Sequence, residues 1–142
     1  MKKPQLAWTR LLSCVLALAL MPGCSANKAR KAAQAGVVNF HSQLNAGQYH
    51  DIYSHASEGF QKSGTEAEIT EFLSAVHRKL GNVKNAKEQT FFVNFTTSGT
   101  VVTLTYETEF DSGPASEQFV WTGGSEPVLQ NYRIDSRALI TK

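Results

Sequence analysis

The chain has 142 residues, with 14 Lys and Arg against 12 Asp and Glu, 42% hydrophobic residues and two cysteines. A length below ~150 residues suits one domain with a modest core, and eight Phe with only 18% charged residues exclude a disordered acidic or basic tail. Lys2, Lys3 and Arg10 lie in a segment expected to be removed, which leaves 11 basic against 12 acidic residues, without the basic face that a nucleic-acid partner requires.

Residues 1–24 read MKKPQLAWTRLLSCVLALALMPGC. A basic start leads into the apolar run Leu11–Met21, which as a helix reaches only ~16 Å, too short for a ~30 Å hydrocarbon core. It fits the hydrophobic stretch of a secretory signal peptide. Its ending, Leu20, Met21 and Gly23 before Cys24, resembles the lipobox of bacterial lipoproteins. Once Cys14 departs with the signal, Cys24 is the only cysteine left, and a lone cysteine cannot form an internal disulfide. The resemblance implies cleavage after residue 23, a thioether-linked diacylglyceryl group on Cys24 and an acylated amine. Such an anchor holds a protein on a membrane in effect permanently. It also implies the bacterial cell envelope and, if the cell is Gram-negative, with Ser25 in place of Asp, the outer membrane.

Residues 24–31 are expected to be the lipidated cysteine and a small, polar tether, and 32–142 a single domain. Ala33, Val37, Phe40 and Leu44 recur at steps of four, three and four, one face of an amphipathic helix from Ala32 that Gly47 stops. Tyr49, Ile52, Tyr53 and Ala56 give a second stripe, predicting a short helix from Gln48 to about Ser57, with a polar linker at Gln61–Gly64. Thr65-Glu66-Ala67-Glu68 is a capping box opening a third helix. Its apolar face is Ile69, Phe72, Leu73, Val76 and Leu80. Arg78 and Lys79 suit its negative end, and Gly81 stops it. This helix is expected to pack on the sheet with Phe72 buried.

From Ala86 the period falls to two. Phe91, Val93 and Phe95 alternate with Phe92, Asn94 and Thr96, and Ser98-Gly99 makes a turn. Val102, Leu104, Tyr106, Thr108 and Phe110 then form the dry face of a second strand whose wet face carries Glu107 and Glu109. Asp111–Pro114 breaks it, Ala115–Thr122 is a third strand, and Val128–Ser136 a fourth. Three helices on a four-stranded antiparallel meander make an α+β domain.

This order looks like the cone-shaped nuclear-transport-factor-2-like superfamily. More narrowly, Tyr49-His50-Asp51-Ile52-Tyr53 with Ala56-Ser57, then Phe72 to Arg78-Lys79-Leu80-Gly81, resembles a domain-of-unknown-function family of small bacterial lipoproteins. In that family a tryptophan and a tyrosine recur near the C-terminus, as Trp121 and Tyr132 do here. The resemblance covers about Ala35 to Ser136 and implies a curved sheet with a pocket between it and the helices.

Residues expected to line that pocket are Tyr49, Tyr53, His77, Tyr106 and Tyr132. No carboxylate is expected on the apolar strand faces, since Glu107 and Glu109 fall on the other one, so the raised-pKa base needed for proton abstraction is missing. His50 and His55 stand five apart, about 140° around a helix, not at the four-residue spacing of a zinc-protease pair. Asp51 and His55 suit a surface pair. No metal, cofactor, nucleophile elbow or phosphate loop is expected. The expectation is a non-enzymatic, lipid-anchored module that binds a protein or small ligand. The alternatives are a small dehydratase- or isomerase-like enzyme using the cavity, or a purely structural envelope protein.

Overall fold

The computed structural model describes residues 22–141, with residues 22–24 described by backbone alone. The signal segment therefore lies almost wholly outside the described residues, and so does the side chain of Cys24.

Helix α1 (Pro22–Asn45) begins ten residues before Ala32, so the stretch expected as a tether is helical. Ala, Lys and Arg are strong helix formers. Ala29, which is buried, also extends the stripe of Ala33, Val37, Phe40 and Leu44 one turn backward. Helix α2 (Tyr49–Ser54) follows Gly47, whose φ of +70° suits glycine. The short α3 (Glu58–Gln61) was not expected. The Ser57 hydroxyl caps it by accepting from the Phe60 amide at 3.1 Å, and buried Phe60 fastens it to the core.

Helix α4 (Glu66–Leu80) opens on the expected capping box. Glu68 donates its amide to Thr65 Oγ1 at 3.3 Å, and Glu68 Oε2 accepts the Thr65 amide at 2.8 Å. That backbone bond, followed by the Thr65 hydroxyl, holds the Glu68 carboxyl below its ordinary value of 4.5. Among the described residues four helices thus precede the sheet, not three, and α5 (Arg137–Ile140) follows it.

Strands β1 (Val83–Thr96), β2 (Gly99–Phe110), β3 (Gly113–Thr122) and β4 (Val128–Asp135) form an open antiparallel sheet in chain order. Leu104 stands opposite Phe91 and Phe119, and Tyr132 opposite Phe119, so these side chains share the inner face. The alternation read in the second strand holds: Val102, Leu104, Tyr106, Thr108 and Phe110 are buried, and Glu107 and Glu109 are exposed.

The long helix lying on the sheet is α1, which packs on β1 and β2, with the short α3 on β4, while α4 packs on α1, α2 and α5. This corrects the expected place of the third helix. Gly36 lets α1 come close, because a Cβ there would stand 2.7 Å from the Trp121 ring. Helix α4 needs only a narrow stripe among its neighbours. Ile69, Leu73, Val76 and Leu80 fill it, and Phe72, on its flank, is 45% exposed.

Candidate functional site

Four polar side chains meet under α1. His41, Thr108 and Glu117 are buried among the core residues, and Tyr132 is 8% exposed. His41 comes from α1, Thr108 from β2, Glu117 from β3 and Tyr132 from β4. Glu117 is wholly buried and accepts three times. His41 Nε2 lies 2.7 Å from Oε2, the Thr108 hydroxyl donates to the same oxygen, and the Tyr132 hydroxyl donates to Oε1 at 2.7 Å. Burial first, and then the Glu117 carboxylate, push the Tyr132 phenol well above its ordinary value.

Aromatic rings close the surroundings. Phe40 packs on Phe119 and Tyr132 with centroids 5.1 and 4.6 Å apart, and Phe119 lies 5.1 Å from Tyr132. The carboxylate and imidazole have the composition of an acid–base pair, but every oxygen of Glu117 is already engaged and the group has no exposed surface. Two shallow hollows open nearby. One, about 300 Å³, is lined by Phe60, Ile69, Phe72 and Tyr132 among others. The second, about 430 Å³, is bordered by Tyr106 and Ser136. Neither is lined by Glu117 or His41.

The five expected pocket residues fall in different places. Tyr132 joins the buried cluster and the first hollow, and Tyr106 borders the second. Burial, and then the nearby Glu88 carboxylate, push the Tyr106 phenol up to about 12. Tyr49 and His77 meet elsewhere, with the Tyr49 hydroxyl 2.7 Å from His77 Nδ1. His77 Nε2 is 2.9 Å from Asn82 Oδ1, an acceptor, so Nε2 carries the proton and Nδ1 accepts from Tyr49. Tyr53 packs on the core from α2. Among the described residues, no three His, Cys, Asp or Glu are grouped as metal ligands would be. His50 pairs with Glu66 at 2.6 Å on the surface, and His55 Nδ1 donates to the Asp51 carbonyl oxygen at 2.8 Å.

The expectation that no carboxylate sits on an apolar strand face is corrected by Glu117. Its signal was the third strand's own alternation: Ala115, Glu117, Phe119 and Trp121 share one face. His41 was equally legible, beside Phe40 and four residues after Val37. Comparison of the chain with protein-family models and with curated proteins returned no match.

Proposed function

We propose that this protein is a lipid-anchored component of a bacterial envelope, held through Cys24, whose α+β domain is a non-enzymatic binding or accessory module. The observation carrying the module reading is the closed inner face. Where a cone-shaped relative would hold a ligand between sheet and helix, Phe40, Phe119 and Tyr132 fill the space, and Glu117 spends its lone pairs on three neighbours. A general base must reach the proton it removes, and neither described hollow is lined by Glu117 or His41. The anchor reading stands on the sequence, where Gly23-Cys24 directly follows an apolar run.

The pairing of His41 with Glu117 gives the dehydratase- or isomerase-like reading its one support. Acylation by diethylpyrocarbonate separates the two. His50 and His55, both exposed, react, and in a sealed module His41 stays unmodified in the folded protein. Modification of His41 at the rate of His50 would mean an open site and would favour the enzyme. Mass measurement tests the anchor. The mature protein carries the diacylglyceryl and acyl groups on Cys24, and Cys24→Ser yields an unprocessed or soluble form. A variant that still partitions with membranes at an unchanged mature mass would overturn the anchor.

A further inference from the structure

Helix α1 and strand β1 run in opposite directions along one another. The Asn45 side chain bonds both the amide and the carbonyl of Val83, at 2.8 and 3.1 Å. Farther up, Gln34 donates to Glu88 at 2.8 Å and Arg30 Nε donates to Glu88 at 3.0 Å. The Arg30 guanidinium then lies 3.9 Å from the centre of the Phe91 ring. Each step toward the start of α1 is thus a step toward the β1–β2 turn. From Arg30 back to Ser25 the helix rises about 7.5 Å more, at 1.5 Å per residue. From Phe91 to Phe95 the strand advances about 13 Å in the same direction. The beginning of α1, where Cys24 stands, and the tip of the β1–β2 hairpin therefore occupy one end of the molecule.

That end has an unusual surface. Phe91, Phe92 and Phe95 are 49%, 66% and 55% exposed. Phe91 and Phe95 lie on the inner face, opposite Leu104 and Thr100, and Phe92 lies on the outer face, opposite Thr103. The hairpin shows an exposed ring on each side, set on the outer face among uncharged Thr and Asn, and residues 89–106 contain no charged side chain. Helix α1 has no acidic residue, and it carries exposed Lys28 and Lys31 within its first three turns. A docked protein needs one apolar face. Rings on both faces of an uncharged wedge, beside lysines and a chain end, suit a medium that surrounds the wedge and carries negative headgroups.

We propose that the β1–β2 hairpin tip seats in the bilayer surface next to the anchor, with Phe92 and Phe95 toward the upper acyl chains, Phe91 under Arg30 at the headgroup level, and Lys28 and Lys31 against anionic phosphates. This rests on Cys24 being lipidated. The domain then lies with its α5 end directed away from the membrane, because α5 follows Asp135, opposite Ser116 at the far end of the sheet.

Spin labelling tests it. With Cys24 blocked as a thioether, Phe92→Cys gives the processed protein a single free thiol, and Ile140→Cys gives a control at the other end, where Ile140 is 79% exposed. The labelled proteins are reconstituted in vesicles of phosphatidylethanolamine and phosphatidylglycerol. The label at position 92 is expected to collide more with oxygen and severalfold less with a water-soluble nickel chelate, while the label at 140 stays fully open to the chelate. A lipidated, vesicle-bound protein whose two labels are equally open to the chelate would overturn the hairpin contact and leave the anchor standing. A mature mass without lipid would overturn both. Spin–spin broadening at position 92 without vesicles would mean that a second copy covers the rings, and would also overturn the contact.

Discussion

Glu117 offers the sharpest test of how the two halves of the domain are joined. Glu117→Ala removes an acceptor that serves His41, Thr108 and Tyr132, all buried. Leaving one buried donor unpaired costs about 1–3 kcal/mol, and breaking a buried charged set from one side typically costs about 3–5 kcal/mol. A cavity adds to this, so a loss of about 4–5 kcal/mol is expected from a total of about 5–15. Glu117→Gln keeps the shape and one accepting oxygen, enough for His41 and Thr108. Its amide then faces Tyr132, and the expected loss is about 1–3 kcal/mol. Urea unfolding followed by the fluorescence of Trp121, 6% exposed, reads both. With a slope of about 2 kcal/mol per M, the alanine variant should unfold about 2 M earlier. The informative companion replaces all four groups: His41→Leu, Thr108→Val, Glu117→Leu and Tyr132→Phe together. If the cluster is structural, this apolar version regains much of the single variant's loss, since no donor is left stranded. An alanine variant within about 0.5 kcal/mol of the parent would refute the reasoning, because Glu117 would then be reached by water.

On α4, Phe72→Ala is expected to lose only about 1–2 kcal/mol, because the ring is half exposed, against about 2–5 for Leu73→Ala, which is wholly buried; equal losses in the same urea assay would mean that the helix face is misassigned. Tyr106 holds its proton in the folded state beyond the ordinary phenol value of 10, so its contribution to stability is complete below pH 10 and is lost as pH rises to about 12. Ultraviolet titration should show a phenol signal near pH 12 in the folded protein that loses one group's amplitude in Tyr106→Phe, leaving that of the also raised Tyr132, and an unchanged amplitude would contradict the assignment.

Local chemistry made much of this fold legible. A hydroxyl three residues before a carboxylate announced the start of α4, and the two-residue period of β2 announced which side is dry. These signals need only neighbours in the chain. Glu117 was harder, although its alternation with Phe119 and Trp121 pointed inward, because a glutamate is tolerated there only by virtue of partners on three other elements. His41 lies 76 residues from it. The tether misled because its small and basic residues fit an exposed coil and an exposed helix equally well, and burial of Ala29 against the core decides between them. The exposure of Phe72 depends on how closely α1 and α2 crowd α4, which a single helix's pattern does not contain. Tyr49 and His77 were each expected near a pocket and instead bond each other, a pairing set by the approach of α2 to α4.

The chain-order sheet has a consequence for the order of folding. Each strand finds its partner in the next segment to emerge, so the meander assembles by short closures. Among the described elements α1 stands first in the chain, and its surface on the sheet comes last, since β1 begins 38 residues after Asn45 and Glu117 comes later still. Until then the row Ala33, Val37, Phe40 and Leu44 has only α2 and α4 to lie on. A chain that has not yet reached β3 therefore leaves His41 and the part of that face meant for the sheet uncovered together.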